Sequence, residues 1–330
     1  MASPSRLLLK LARRLFADPE EQQAFVAAMT QPPALDACIL WCRDRSPDLP
    51  FPVLPPEPWQ PAFVDRLAGV ERPGQHPLHN AGYFYCLDFS SVFAAAVLEA
   101  IPSPVERVFD LCASPGGKSL FAWRSLQPTL LLSNEVIGKR MGALLSNLKR
   151  CGVAGAIASS LDTQALAAAI PQTADVAIVD APCTGQSLLV KGIDAPGCFH
   201  PVNINKNANR QKRIVANAAQ LVAPQGYLAY MTCAYSPEEN EQVVDWLLSR
   251  FPQFSPVVVP GLAGFQSHLT ERPCYRMFPQ SGLGAGAFTA LLRNLDTDAE
   301  RGEAALEEFL QQPFLKFVGK NLSANPDRGF

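Results

Sequence analysis

The spacing of apolar residues changes along this chain. Over 1–30 they fall at helical spacing in two short pieces broken near Pro19, and 35–42 reads as a strand. Prolines at 47, 50, 52, 55, 56, 58 and 61 then interrupt any regular structure, which predicts a linker or an extended wrap. From about residue 75 short apolar runs alternate with helical stretches. Strands are expected over 107–111, 129–133, 155–158, 175–179, 226–232 and 285–293. Helices are expected over 90–101, 118–126, 138–151, 164–170, 206–222 and 237–251, the first capped by Ser90 or Ser91 and ended by Pro102. Such alternation predicts an α/β fold with a mostly parallel, doubly wound sheet. A last amphipathic helix is expected over 299–311, and no internal repeat is evident.

Composition agrees with one large core and a smaller one: 330 residues, 48% hydrophobic and 18% charged. With 28 Lys and Arg against 30 acids the net charge is −2, so any nucleic-acid surface must be local. Three basic clusters qualify: Arg6, Lys10, Arg13 and Arg14; Lys139, Arg140, Lys149 and Arg150; and Lys206, Arg210, Lys212 and Arg213. A solvated helix face explains each of them, and the third is the best functional candidate because it follows Cys183 closely. Nine cysteines without a disulfide-like framework suit a reducing, cytoplasmic setting. Cys38 and Cys42 with His76 and His79 match no common zinc spacing, and no metal is expected. The apolar runs are too short to cross a bilayer. The stretch 7–15 is broken by Lys10, Arg13 and Arg14, which makes it an amphipathic helix rather than a signal peptide.

Candidate chemistry gathers at three predicted strand ends. Cys183 lies in Asp180-Ala181-Pro182-Cys183-Thr184-Gly185, and Cys233 follows Thr232 just after another apolar run. The carboxyl ends of strands are where open α/β sheets bind ligands. A third strand ends in Asp110-Leu111-Cys112-Ala113-Ser114-Pro115-Gly116-Gly117-Lys118. Its glycines let backbone N–H groups approach a polar ligand closely. A phosphate-binding P-loop would need glycine where Cys112 stands, and the dinucleotide pattern G-x-G-x-x-G is absent. Glu135, ending the next strand 18 residues after Gly117, can accept two ribose hydroxyl protons. Asp162 is placed to hold an adenine edge, although either acid alone could equally cap a helix. A glycine turn, a ribose-binding acid and no phosphate anchor suit S-adenosylmethionine.

Asp110–Ser119, Asp180–Gly185 and Thr232–Glu241 resemble, in family order, the motifs DLCAAPGGKT, DAPCSG and STCSLxxEENE of the RsmB/RsmF-type (Sun family) RNA cytosine-5 methyltransferases. Upstream, Glu71-Arg72-Pro73-Gly74, His76-Pro77-Leu78-His79 and Ala81-Gly82-Tyr83 resemble the RsmF branch. Cys274–Gln280 and Gly286-Ala287-Phe288 are similar to the family's closing segment, so the resemblance covers roughly 70–295. It implies a class I methyltransferase, Rossmann-like, with a seven-stranded and mostly parallel sheet. It also implies a small N-terminal α+β, RNA-binding-like domain with the Pro-rich linker over 1–70, a methyltransferase domain over 71–295 and a tail over 296–330. Cys233 would be the nucleophile that adds to carbon 6 of cytosine, and Cys183 would assist product release. Asp180 would hold the ring nitrogen and Lys118 would line the pocket. Cys112, Ala113, Ser114, Pro115, Gly116, Gly117, Lys118, Glu135, Asp162 and Asp180 would bind S-adenosylmethionine.

RNA is the implied partner, ribosomal RNA ahead of transfer RNA, with a monomeric protein and no membrane. Glu238, Glu239 and Glu241 are explained by the first turn of a helix and given no catalytic role, while Asn240 is placed to hold the loop carrying Cys233. Ser114 and Thr184 replace the family's usual Ala and Ser, and 186–201 departs from its Arg-rich stretch. A DNA cytosine methyltransferase would use the Pro-Cys cysteine as nucleophile with a Glu-Asn-Val motif, which is missing. A non-catalytic RNA-binding or ribosome-assembly factor is the remaining alternative.

Overall fold

A computed structural model describes residues 4–45, 50–70 and 72–318. Two helices come first, α1 (Arg6–Leu15) and α2 (Pro19–Thr30). Ser5 caps α1, and Asp18 caps α2 by accepting the Glu20 N–H, with Pro19 fitting the first helical position where no N–H is needed. Strands β1 (Ala37–Trp41) and β2 (Val64–Leu67) follow, then a short helix α3 (Pro77–Asn80) and β3 (Phe84–Leu87). These strands form an antiparallel sheet in the order β2-β1-β3, so its third strand lies beyond residue 70. Ile39, Trp41, Leu67 and Phe84 fill one face of it. The Trp41 indole N–H donates to the buried Asp65 carboxylate at 2.7 Å, which also takes both arms of Arg45. Residues 46–49 of the Pro-rich stretch, and Glu71 of the upstream resemblance, fall outside the described residues.

The larger unit alternates as its apolar pattern requires. Its helices are α4 (Phe89–Ala95), α5 (Gly117–Leu126), α6 (Gly138–Arg150), α7 (Thr163–Ala169), α8 (Pro201–Leu221), α9 (Glu241–Arg250) and α10 (Glu303–Leu310). Its strands are β4 (Arg107–Asp110), β5 (Leu130–Asn134), β6 (Ala156–Ser159), β7 (Ala174–Asp180), β8 (Val222–Thr232), β9 (Phe254–Pro256), β10 (Tyr275–Met277), β11 (Ala287–Asn294) and β12 (Lys316–Val318). The helix expected over 90–101 is shorter, because Asp88 rather than either serine caps it and its last turn tightens to 3-10 geometry.

The expected seven-stranded sheet needs correction. Nine strands pair, in the order β10-β11-β8-β7-β4-β5-β6-β12, with β9 also on β11. Strands β4 to β8 are mutually parallel and buried on both faces, whereas β9 to β12 add antiparallel pairs. The extra pairings arise because short segments near the end of the chain, β9, β10 and β12, meet sheet edges whose backbone groups would otherwise lack partners. Apolar side chains fill both faces, Phe121, Leu131 and Val176 on one and Phe109, Ala177 and Leu228 on the other.

The small sheet is seated tightly on the large unit. Gly82 has φ +75°, and a Cβ there would lie 1.7 Å from the Arg150 carbonyl oxygen, so only glycine allows this approach to the end of α6. Helices α1 and α2 pack elsewhere, with Leu11, Phe16 and Phe25 gathered against Tyr235, Val190 and Phe278. Among the described residues no helix is long and apolar enough to cross a membrane, and no group of three His, Cys, Asp or Glu could hold a metal ion.

Candidate active site

Parallel pairing brings the two predicted thiols together. In the register of β7 and β8, Asp180 lies opposite Met231, so the chain leaves both strands at the same edge. Cys233 and Cys183 then meet with their sulfurs 3.0 Å apart. Both are half-buried and neither is in a disulfide. The two sulfurs share a hydrogen bond, which lowers the Cys233 pKa and raises that of Cys183. Burial and the Asp180 charge oppose the first shift, while Ser187 and Lys191 support it. The lowered pKa favours the thiolate at Cys233 over that at Cys183, and the thiolate is the reactive form of cysteine.

Lys118 and Asp180 form the next layer. Lys118 opens α5, and its Nζ stands 3.1 Å from Asp180 Oδ2. Beneath them Asp110 is fully buried, accepting the Ser119 hydroxyl at 2.7 Å and the Cys112 N–H at 3.3 Å. Burial pushes its pKa up to about 7. Gly116, at φ +114°, turns the chain from β4 into α5. Helix α6 fixes this turn: Asn147 donates to the Pro115 carbonyl at 2.9 Å, and the Ser114 hydroxyl donates to the Arg140 carbonyl at 2.9 Å. Burial raises the pKa of the Cys112 thiol beyond the ordinary range.

The two expected ribose and adenine acids differ in setting. Glu135 is 3% exposed, accepts the Ile137 N–H at 2.8 Å and lies 3.4 Å from Arg140. Asp162 is exposed and caps α7 by accepting the Gln164 N–H at 2.9 Å. Between them Asn134, not singled out from the sequence, ties β5 to the loop before Asp162 by accepting the Leu161 N–H and donating to its carbonyl.

Glu239 is the clearest residue that sequence reasoning missed. It precedes α9 rather than decorating its exposed first turn, and its side chain is wholly buried. Its carboxylate accepts the Thr184 N–H at 2.8 Å, the Thr184 hydroxyl at 2.5 Å and the Gln211 amide at 3.0 Å. Gln211 also donates to the Pro182 carbonyl at 3.0 Å, so the two side chains grip the residues on either side of Cys183. Burial raises the Glu239 pKa against these donors. Glu241 is likewise internal, in a buried ion pair with Arg276. Only Glu238 fits the surface reading, paired with Arg14 of α1.

The Cys233 loop is fixed from two sides. Asn240 accepts the Thr232 hydroxyl at 2.6 Å and donates to the Ala234 carbonyl at 2.9 Å, the role its position suggested. Gln186, unmarked by the sequence, is fully buried and uses both ends of its amide. Its oxygen accepts the N–H groups of Tyr235 and Ser236, and its nitrogen donates to the Cys198 carbonyl and the Ser236 hydroxyl. The Ser187 N–H donates to the Cys233 carbonyl at 3.1 Å. A turn over 186–191 thereby joins the two cysteine loops.

Residues 96–293 match the 16S rRNA methyltransferase RsmB/F family. Over 250 residues the chain is 33% identical to ribosomal RNA small subunit methyltransferase F of Klebsiella pneumoniae (strain 342), covering 73% of this chain and 52% of that protein. The protein of the same name from Cronobacter sakazakii (strain ATCC BAA-894) is 33% identical over 246 residues, covering 73% and 51%. The chain thus spans about half the length of these curated relatives. A methyltransferase homologue from Pyrococcus horikoshii has the same fold, with a TM-score of 0.69 at 23% identity over 88% of this chain and 100% of that one. NSun6 from the same organism gives 0.69 at 19% identity over 89% and 99%. Since the family match extends over more than half of its residues, the chain belongs to the 16S rRNA methyltransferase RsmB/F family.

Proposed function

We propose that this protein is an S-adenosylmethionine-dependent RNA methyltransferase acting on carbon 5 of cytosine, with ribosomal RNA as substrate. The observation that carries the reading is the pair of sulfurs 3.0 Å apart, beside the Lys118–Asp180 pair and above a glycine turn. Both relatives compared above are named as ribosomal RNA small subunit methyltransferases, which supports that class of RNA.

The residues suit the cofactor. Gly116 turns the backbone without a side chain in the way, and the buried Glu135 carboxylate keeps lone pairs free beyond the Ile137 N–H and Arg140. Residues 112–117, Glu135 and Asp180 would hold it, while Asp162 borders the site and spends one oxygen on its helix cap. Bound there, it would supply an electrophilic methyl group.

The chain's own groups do the rest. The Cys233 thiolate adds to carbon 6 of the cytosine, and its electron pair makes carbon 5 nucleophilic. As the sulfur adds, the ring nitrogen takes a proton from water, and Asp180, steadied by Lys118, accepts a hydrogen bond from the resulting N–H. After methylation water takes the carbon-5 proton, the carbon–sulfur bond breaks as the ring nitrogen gives its proton back, and the Cys183 thiol stands ready to hold the departing Cys233 thiolate. A cytosine in folded RNA must leave its stack to reach this site. A reducing cytoplasm suits a centre built on two reduced thiols.

The test incubates the purified protein with S-adenosylmethionine and unmodified ribosomal or transfer RNA, then scores 5-methylcytidine by mass spectrometry. Product in ribosomal RNA, lost in Cys233→Ala, is expected. No product in either RNA, or full activity in Cys233→Ala, would reject the reading.

A further inference from the structure

Helix α8 carries a feature that the reaction does not use. It holds four cations, Lys206, Arg210, Lys212 and Arg213, and no Asp or Glu, in a chain whose net charge is −2. At 3.6 residues per turn, Lys206, Arg210 and Arg213 fall within about 60° of one another and span about 10 Å of helix. All three are exposed, as are Asn203 and Asn209 on the same face, while Lys212 lies off that stripe and is half-buried. Among the described residues none of the three pairs with a carboxylate, and Arg210 reaches only the Asn207 side chain. Some surface cations elsewhere find acidic partners, as Arg272 finds Asp245 and Arg301 finds Asp175, whereas among the described residues all three of this stripe lack one.

The stripe is joined to the reaction centre. Gln211, the next residue after Arg210, turns inward to the Pro182 carbonyl and Glu239 beside Cys183. Arg210 also stands close enough to the cofactor turn for its charge to act on Cys112. A row of unpaired cations interleaved with amide side chains suits a chain of phosphates, since both groups donate to phosphate oxygens and neither reads a base there. The one large apolar side chain exposed on the helix is Val202, so little there would favour a hydrophobic protein partner.

We propose that the Lys206–Arg210–Arg213 face of α8 is a docking ridge for the phosphodiester backbone of the RNA strand next to the target nucleotide. This rests on the RNA substrate proposed above and adds where that RNA lies.

The test measures binding of a labelled single-stranded RNA oligonucleotide by fluorescence anisotropy across a salt series. The triple variant Lys206→Gln, Arg210→Gln, Arg213→Gln is compared with a charge-matched control outside the three basic clusters, Arg250→Gln, Arg272→Gln, Lys316→Gln. Loss of three phosphate contacts to a single strand lowers the slope of log K against log salt by about 2, and affinity near 0.1 M salt by about a hundredfold. The control and the affinity for S-adenosylmethionine should be unchanged, and kcat at saturating RNA should be kept. An unchanged slope, an equal loss in the control, or a loss confined to cofactor binding overturns the ridge. So does RNA binding that survives while binding to polyglutamate is lost, which would assign the face to an acidic protein. Failure of methyl transfer in the unaltered protein would reject the reaction and leave the ridge standing wherever RNA binding follows the three cations.

Discussion

Two pairs of thiols in this protein share one electronic pattern and differ in everything around it. At the sheet edge the hydrogen bond between Cys183 and Cys233 raises the Cys183 pKa and lowers that of its neighbour. Between the small sheet and the end of α6, Cys42 and Cys151 are coupled in the same sense, the Cys42 pKa raised and the Cys151 pKa lowered, with Arg150 and Arg43 also lowering the latter, while the Cys42 thiol donates to the Leu40 carbonyl. The second pair is sealed, at 2% and 1% exposure, where no substrate can arrive. The first is half-open, follows two strand ends and has a lysine–carboxylate pair beside it. Thiol coupling alone therefore does not set the proposed site apart; access and the neighbouring lysine–carboxylate pair do.

The sharpest way to break this contrast is to remove one sulfur from each pair. Cys233→Ala should reduce methyl transfer by about 10⁴-fold or more, and Cys151→Ala should leave it within about twofold when 5-methylcytidine formation is timed. Equal losses would mean that the sealed pair takes part.

A second test concerns the clamp that only the open pair possesses. Glu239→Ala strands the Thr184 N–H, the Thr184 hydroxyl and the Gln211 amide without their acceptor. Hydrogen bonds to a charged group contribute about 1.5–3 kcal/mol each, and partial rearrangement makes a net loss of about 3 kcal/mol reasonable in urea unfolding. Activity should fall with it, because the Cys183 loop loses its anchor. A variant as stable as the parent would remove Glu239 from the account.

Alkylation separates pKa from access. A lowered pKa raises the thiolate fraction of Cys233 at any given pH over that of an unperturbed thiol, so its pH profile for reaction with iodoacetamide should lie below the ordinary thiol's. Cys183→Ala removes the hydrogen-bond partner and should move the profile to higher pH. Cys151, lowered by the same physics but buried, should react about 30-fold more slowly in the native protein. Peptide mass spectrometry reads both sites at once, and equal rates would show that the sealed pair opens. The smallest effect expected is Cys42→Ala, at about 1 kcal/mol of stability with activity kept.

The open pair was legible because its chemistry is local: each cysteine directly follows an apolar run, and a parallel sheet delivers such ends to one edge. The fold class followed from the same alternation. Glu239 was not legible, because acids at the start of a helix explain themselves through its dipole, and nothing nearby in sequence reveals a Thr184 that is 55 residues away. Gln186 and Gln211 were hidden for the same reason, since an amide's partner is set by tertiary approach. The added strands β9, β10 and β12 span only three residues each, too few for a period to show. The helical spacing of α1 identified an amphipathic helix but could not say what its apolar face would meet.

That last face has a consequence for how the protein comes into being. Phe25 of α2 stacks edge-on to Tyr235 at 5.2 Å, and Arg14 of α1 pairs with Glu238, 224 residues further along. During synthesis the first helices emerge long before the loop they must cover, and contacts of such separation are slow to form. The walls of the Cys233 loop can therefore close only after residues 235–278 have followed these helices out of the translating ribosome. Until then the helices carry an uncovered apolar stripe, an aggregation hazard that the folded chain removes.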